Sequence, residues 1–329
     1  MGCPKVKVMN DLDYLLLQDG TIHLVMGPHH PQGFLRTLPV YWPDPDGERF
    51  NQELGRMKKI VAEPNPELAK TYRYYQHSFR PTFATIVPVN VVKKVYQPRV
   101  AFQRFLTSEP VNSIWRNLAE SLLKMGLKSN DIGIFGSTLV GLDKIDAHRQ
   151  KDIDFLLYGQ ESCRLVRLKI NRLRSLTSAK PLSAAHRRYQ TNKYARNLTN
   201  NVNNFDFTLK NKWSSLEFAP GLVSTLRFVY KENEIPDNPL ATPIMAETTV
   251  EGPVVDDFGA NFMPRTFSLR TASGRLVKVA SYFWAHQACV KVGDQVIVRG
   301  SLHQNNTVTI SRPDHGIKPI NPIASEREN

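Results

Sequence analysis

The 329-residue sequence predicts an α+β protein in three parts: a β-rich amino-terminal module, a central mixed sheet with helices, and a small carboxy-terminal β-barrel. Three observations predict this. Residues 14–42 and 84–95 carry short aliphatic and β-branched runs separated by turn residues. Residues 108–209 interleave strand-like apolar runs with stretches of helical period. Residues 244–312 return to short β-branched runs broken by glycine turns.

The amino-terminal module covers residues 1–107. Residues 14–17 and 21–26 read as strands joined at Asp19-Gly20, a hairpin signal. Residues 34–42 read as a strand stopped by a Pro-Asp-Pro-Asp-Gly turn, residues 53–70 as a polar helix, and residues 84–95 as a further strand. The central domain, 108–235, opens on Ser108-Glu109-Pro110, a helix-start pattern, after which Ile114, Trp115, Leu118, Leu122 and Leu123 recur at helical spacing. Residues 132–135 and 153–158 read as buried strands, 161–174 and 183–197 as basic helices, and 205–209 as a third strand. Pro236, Pro239 and Pro243 mark a linker before the barrel, 244–312. Residues 313–329 read as a flexible tail.

Composition limits the function classes. Hydrophobic residues are 41% and charged residues 22%, which excludes a low-complexity chain. No apolar run approaches the roughly 20 residues a membrane helix needs, so no membrane partner is expected. The three cysteines, Cys3, Cys163 and Cys289, form no C-x-x-C pair, which argues against a zinc ribbon or a disulfide framework. No secretory pattern is visible, and the expected compartment is the cytoplasm. Lys and Arg total 43 against 30 Asp and Glu, a net charge of +13 that points to a polyanionic partner.

The chemistry is concentrated in Gly136-Ser137 and in Asp152-Ile153-Asp154. A strand that ends in Gly-Ser presents backbone N–H groups to a phosphate. Two aspartates two residues apart share one face of a strand, while Ile153 and Phe155 point into the core. Carboxylates forced together repel unless a cation lies between them, and hard oxygen ligands suit Mg²⁺ or Mn²⁺. A third acid, Asp206, alternates with Phe205 and Phe207, and Glu217 competes for its role.

Gly136-Ser137, Asp152-x-Asp154 and a later Asp206 together resemble the DNA polymerase β-type nucleotidyltransferases. The longer phrase from Gly136 to Gly159 is most similar to the archaeal-type predicted nucleotidyltransferases of that superfamily. The resemblance covers about residues 85–210 and implies a nucleotidyltransferase core. The spacer departs from the pattern: 14 residues separate Ser137 from Asp152, at or beyond the usual length. The resemblance implies that Asp152, Asp154 and Asp206 hold the metal and catalyse. Gly136 and Ser137 then bind the nucleotide, and NTP is the substrate.

From 161 to 197 the chain carries ten basic residues against the single acid Glu161. Arg164, Arg167, Arg174, Arg187, Arg188 and Lys193 are the candidate nucleic-acid contacts, with Tyr189 and Tyr194 interleaved. The Gly293-Asp294 turn and its following strand resemble an OB-fold barrel, with Phe262, Phe267, Tyr282, Phe283 and Trp284 as possible stacking platforms and Arg299 as a groove cation. The expected activity is metal-dependent transfer of an NMP from NTP to an acceptor hydroxyl, a nucleic-acid 3′ end before all others. The alternatives are an enzyme that modifies a protein or small molecule, and a nucleic-acid-binding protein without catalysis.

Overall fold

A computed structural model describes residues 9–59, 85–144, 152–198, 207, 209–239, 241–283, 286–312 and 314–320, with only the backbone for 143–144 and 193–198. The protein is α+β. It divides into two compact units. Among the described residues the first holds everything up to residue 180 together with 215–235, and the second holds 181–214 and 236–320.

In the first unit the predicted hairpin forms. Strands β1 (Tyr14–Leu17) and β2 (Ile22–Val25) pair antiparallel, and Gly20 at φ +82° makes the turn. With β3 (Phe34–Pro43), β4 (Arg49–Asn51), β5 (Gly55–Lys59), β6 (Thr85–Pro88), β7 (Val92–Tyr96) and β9 (Asp143–Lys144) they form one eight-stranded sheet. The helix expected at 53–70 is not there over its described part. Asn51 Oδ1 accepts the N–H groups of Glu53 and Leu54, and the chain reverses into β5 instead of winding on.

The helix expected to start at Ser108 begins later. Helix α1 (Pro98–Ser108) ends there, because residues before a proline disfavour the helical region. Helix α2 (Ile114–Lys124) follows, and the Ser113 hydroxyl caps it by accepting the Trp115 N–H at 3.1 Å.

A four-stranded sheet runs β11-β12-β10-β8. Here β8 is Ile132–Phe135, β10 is Asp154–Tyr158, β11 is Ser215–Ala219 and β12 is Leu222–Val229. Strand β10 lies between an antiparallel β8 and a parallel β12, and helix α3 (Gln160–Thr177) follows it. Ile153 and Phe155 are buried, as their period predicts, and Leu156, Leu157 and Tyr158 are buried too, as a continuous apolar run in a strand covered on both faces. Phe102 and Phe105 of α1 pack on Phe155 at ring-centroid distances of 6.4 and 6.0 Å. Gly133 permits that approach: a Cβ there would stand 2.6 Å from the Pro98 Cβ.

In the second unit, β13 (Ile244–Asp256), β14 (Arg265–Arg270), β15 (Leu276–Ser281), β16 (Gln295–His303) and β17 (Thr307–Ile310) pair in a closed cycle. The order is β13-β14-β15-β17-β16 and back to β13, with β15 and β17 parallel. Phe267, Val279, Val298 and Val308 fill the interior. The tail is ordered at its start: β18 (Gly316–Pro319) pairs with β16 because Ile317 is buried in the same core. Helix α4 (Ala184–Leu198) belongs to this unit. Asn211 ties the segment after it to the barrel, donating to Asp294 Oδ2 at 2.8 Å.

Candidate functional site

The site is built at one end of β10. Its antiparallel register sets Asp154 opposite Phe135, the last residue of β8. The chain then enters the Gly136-Ser137-Thr138 turn, so that turn and the Asp152-x-Asp154 segment stand at the same end of the sheet. Gly136 adopts φ +77°, with nothing within 4 Å of where a Cβ would be. The turn closes on itself through Leu139 N–H to Gly136 O at 3.2 Å and Leu142 N–H to Ser137 O at 2.9 Å. The Ser137 side chain is hydrogen-bonded to Tyr41, whose phenol burial pushes up to about 12. Burial also raises Tyr14, which packs on Phe135 at 5.3 Å. Both phenols therefore stay protonated at neutral pH.

Strand β12 fixes the two carboxylates. Asp152 Oδ1 accepts the Val223 N–H at 3.3 Å, and Asp154 Oδ1 accepts the Thr225 N–H at 2.8 Å. Asp152 is exposed and Asp154 half-buried, so both reach solvent. Across from Asp154 stands Arg227, with Nη2 at 3.5 Å from Asp154 Oδ2 and its Cζ 5.3 Å from the Phe135 ring centroid. Hard oxygen donors, two residues apart and held by backbone N–H groups, suit a divalent cation such as Mg²⁺ or Mn²⁺. Among the described residues no three or more His, Cys, Asp or Glu side chains gather to hold one.

The spacer between turn and carboxylates starts as structure: Asp143 and Lys144 pair with β4, extending the large sheet. An open cavity of about 640 Å³ lies where β4 and its turn meet Gly141, lined by Phe50, Asn51, Gln52, Glu53 and Gly141. Asn51 Nδ2 donates to the carbonyls of Val140 and Gly141 there, each at 3.1 Å.

Asp206 and Trp284 lie outside the described residues. Of the strand expected at 205–209, the described residues Phe207 and Leu209 are helical, as is Lys210 after them, and Phe207 is buried in the core of the barrel unit. Glu217, the competitor for the third acid, is buried on β11.

The basic candidates separate. Arg164, Arg167 and Arg174 lie on α3, in the first unit. Arg164 is already engaged by Glu161 at 2.5 Å and by Gln160 at 3.1 Å. Partial burial lowers the Arg174 guanidinium below its ordinary value, and it donates to Asn171 at 3.4 Å. Arg187, Arg188 and Lys193 lie on α4, in the second unit. Arg187 donates to the Leu182 carbonyl at 2.9 Å, while Arg188 and Tyr189 are exposed. Arg299 is exposed on β16, 3.6 Å from Asp314. Phe262, Phe267, Tyr282 and Phe283 are buried in the barrel unit and present no face to a base. Aromatic residues in short strands serve core and groove alike, and here the core takes them.

Arg227 and the β12 backbone were not expected at the site. The signal was present in Leu222-Val-Ser-Thr-Leu-Arg-Phe-Val229, an apolar and β-branched run interrupted by one charge. Comparison with known proteins finds no match: no family model, no curated protein and no solved structure is similar to this chain.

Proposed function

We propose that the first unit is a nucleotidyltransferase core that moves an NMP from an NTP to an acceptor hydroxyl. The observation that carries this reading is the β8–β10 register. It sets a glycine turn and two carboxylates at one strand end, the juxtaposition of phosphate seat and acid pair that phosphoryl transfer requires. In this reading Gly136 and Ser137 seat the triphosphate. Asp152 and Asp154 hold Mg²⁺ or Mn²⁺, which when bound neutralises charge developing on the phosphates. The acceptor oxygen bonds to the α-phosphorus as its proton passes to a carboxylate, Asp206 in this reading, the bond from the α-phosphorus to the α–β bridging oxygen breaks, and pyrophosphate leaves. Asp206 remains the proposed third acid.

The acceptor proposed is a nucleic acid. The closed five-strand order with parallel third and fifth strands supports an OB-like barrel in the second unit, a fold that binds single strands. Arg188, Tyr189 and Arg299 are the exposed candidates for its contacts. A second reading, nucleic-acid binding without transfer, is favoured by Arg227: its guanidinium, 3.5 Å from Asp154, neutralises one of the two carboxylates without a metal.

Incubation of the full chain with each labelled NTP, Mg²⁺ and RNA, DNA or protein separates these readings. Asp152→Asn is the decisive variant. The residue is exposed, and an asparagine can still accept the Val223 N–H, so stability changes by less than about 1 kcal/mol. Transfer is expected to be lost. Full transfer by the folded variant removes the assignment, and absence of transfer by the unaltered chain leaves the binding reading.

A further inference from the structure

We propose that Arg227 is a built-in counter-ion for Asp154, a positioning residue that occupies the place of a divalent cation until one arrives. This deepens the reading above and rests on it. The Thr225 N–H pins Oδ1 of Asp154 at 2.8 Å, so the carboxylate is held with Oδ2 toward the guanidinium. That second contact is 3.5 Å, longer than a good hydrogen bond, so the attraction is mainly that of opposite charges. Arg227 is itself enclosed: its side chain is 9% exposed, against 25% for Asp154, and it lies over the Phe135 ring. Val223, Thr225 and Arg227 alternate along β12, so the strand that fixes both carboxylates by its backbone also supplies the cation.

The consequence is electrostatic. A divalent ion at Asp152 and Asp154 meets two negative charges and one positive charge in a partly desolvated place, where a neighbouring unit charge weighs far more than in water. The bare site therefore binds a cation weakly. A cation that arrives with a nucleotide brings its own negative charge, which Arg227 can meet once Asp154 is surrendered. Loading is thereby coupled to the nucleotide.

The test uses Mn²⁺ alone with the full chain, free ion being read by electron paramagnetic resonance. Arg227→Gln and Arg227→Met remove the charge while keeping most of the length that packs on Phe135, and Arg227→Lys retains the charge. The Mn²⁺ dissociation constant is expected to fall about tenfold or more in the two neutral variants, and to stay near that of the unaltered chain in the lysine variant. Equal or weaker binding in a neutral variant that keeps its circular dichroism overturns the proposal. So does failure of both neutral variants to fold, which would make Arg227 a structural residue. The two readings fail separately: tightened Mn²⁺ binding without NMP transfer removes the transferase and keeps the counter-ion, whereas transfer with unchanged Mn²⁺ binding does the reverse.

Discussion

Gly136→Ala separates the turn's fold from its function. The residue sits at φ +77°, where a side chain costs about 1–2 kcal/mol for the left-handed conformation alone. No packing penalty adds to this, because nothing lies within 4 Å of the new methyl group. Gly141→Ala is the contrast. Its φ is +65°, and its methyl would stand 2.9 Å from Asn51 Nδ2, so the Asn51 bonds to the Val140 and Gly141 carbonyls are disturbed as well. At roughly 2–4 °C per kcal/mol for a unit of this size, Gly136→Ala is expected to lower the melting temperature by about 2–8 °C, and Gly141→Ala by more. The open space that spares Gly136→Ala a clash is also where a triphosphate would lie against the backbone. NTP affinity measured by calorimetry in Mg²⁺ is therefore expected to fall by about tenfold or more, some 1.4 kcal/mol. A variant that melts normally refutes the strain argument. A variant that binds NTP as tightly as the unaltered chain refutes the phosphate seat.

Two further outcomes are expected. Arg188→Gln combined with Tyr189→Ala should leave the fold intact, since Tyr189 is 62% exposed, yet weaken single-stranded RNA binding by about 1–3 kcal/mol and flatten its salt dependence. A filter-binding series over salt that shows no change removes α4 from the acceptor surface. His286, buried and hydrogen-bonded to Ser281 at 2.7 Å, is held by burial at about 4, below its ordinary 6.5. The unfolded chain takes up that proton first, so stability is full above pH 6.5 and falls as pH drops to 4, by up to about 3 kcal/mol. His286→Asn should shrink that slope in thermal melts at pH 7, 5.5 and 4. An equal slope in both proteins refutes the assignment.

Much of the candidate site's geometry was legible because it is local. Asp152 and Asp154, two residues apart, both reach the β12 backbone, and Ile153 and Phe155 beside them are buried, an alternation that needs only adjacent residues to read. What lay beyond reach was the partner strand. Residues 222–229 meet β10 across 71 positions, and nothing in either segment names the other. The same limit explains the third strand. Phe205, Phe207 and Leu209 alternate as a strand should, yet Phe207 and Leu209 are helical and Phe207 is buried in the barrel core, a partner that local alternation does not name. The barrel strands were legible from β-branched runs and glycine turns. Whether an aromatic in them faces the core or the groove was not, since both faces accept one.

The pairing of Lys180 with Glu217 bears on how this chain can be dissected. The backbone N–H of each donates to the carbonyl of the other, at 2.8 and 2.9 Å. Between them the chain leaves the first unit at 181 and returns at 215, after contributing α4 and the segment that holds Asn211. The first unit is thus a host, and 181–214 an insert whose two ends emerge side by side. Cutting in the proline-rich stretch after residue 235 does not part the two units, because the insert stays behind without the barrel it packs on. A clean excision needs two edits. A short Gly-containing loop must join residue 180 to residue 215, and the insert must be spliced to the strands that begin at Ile244.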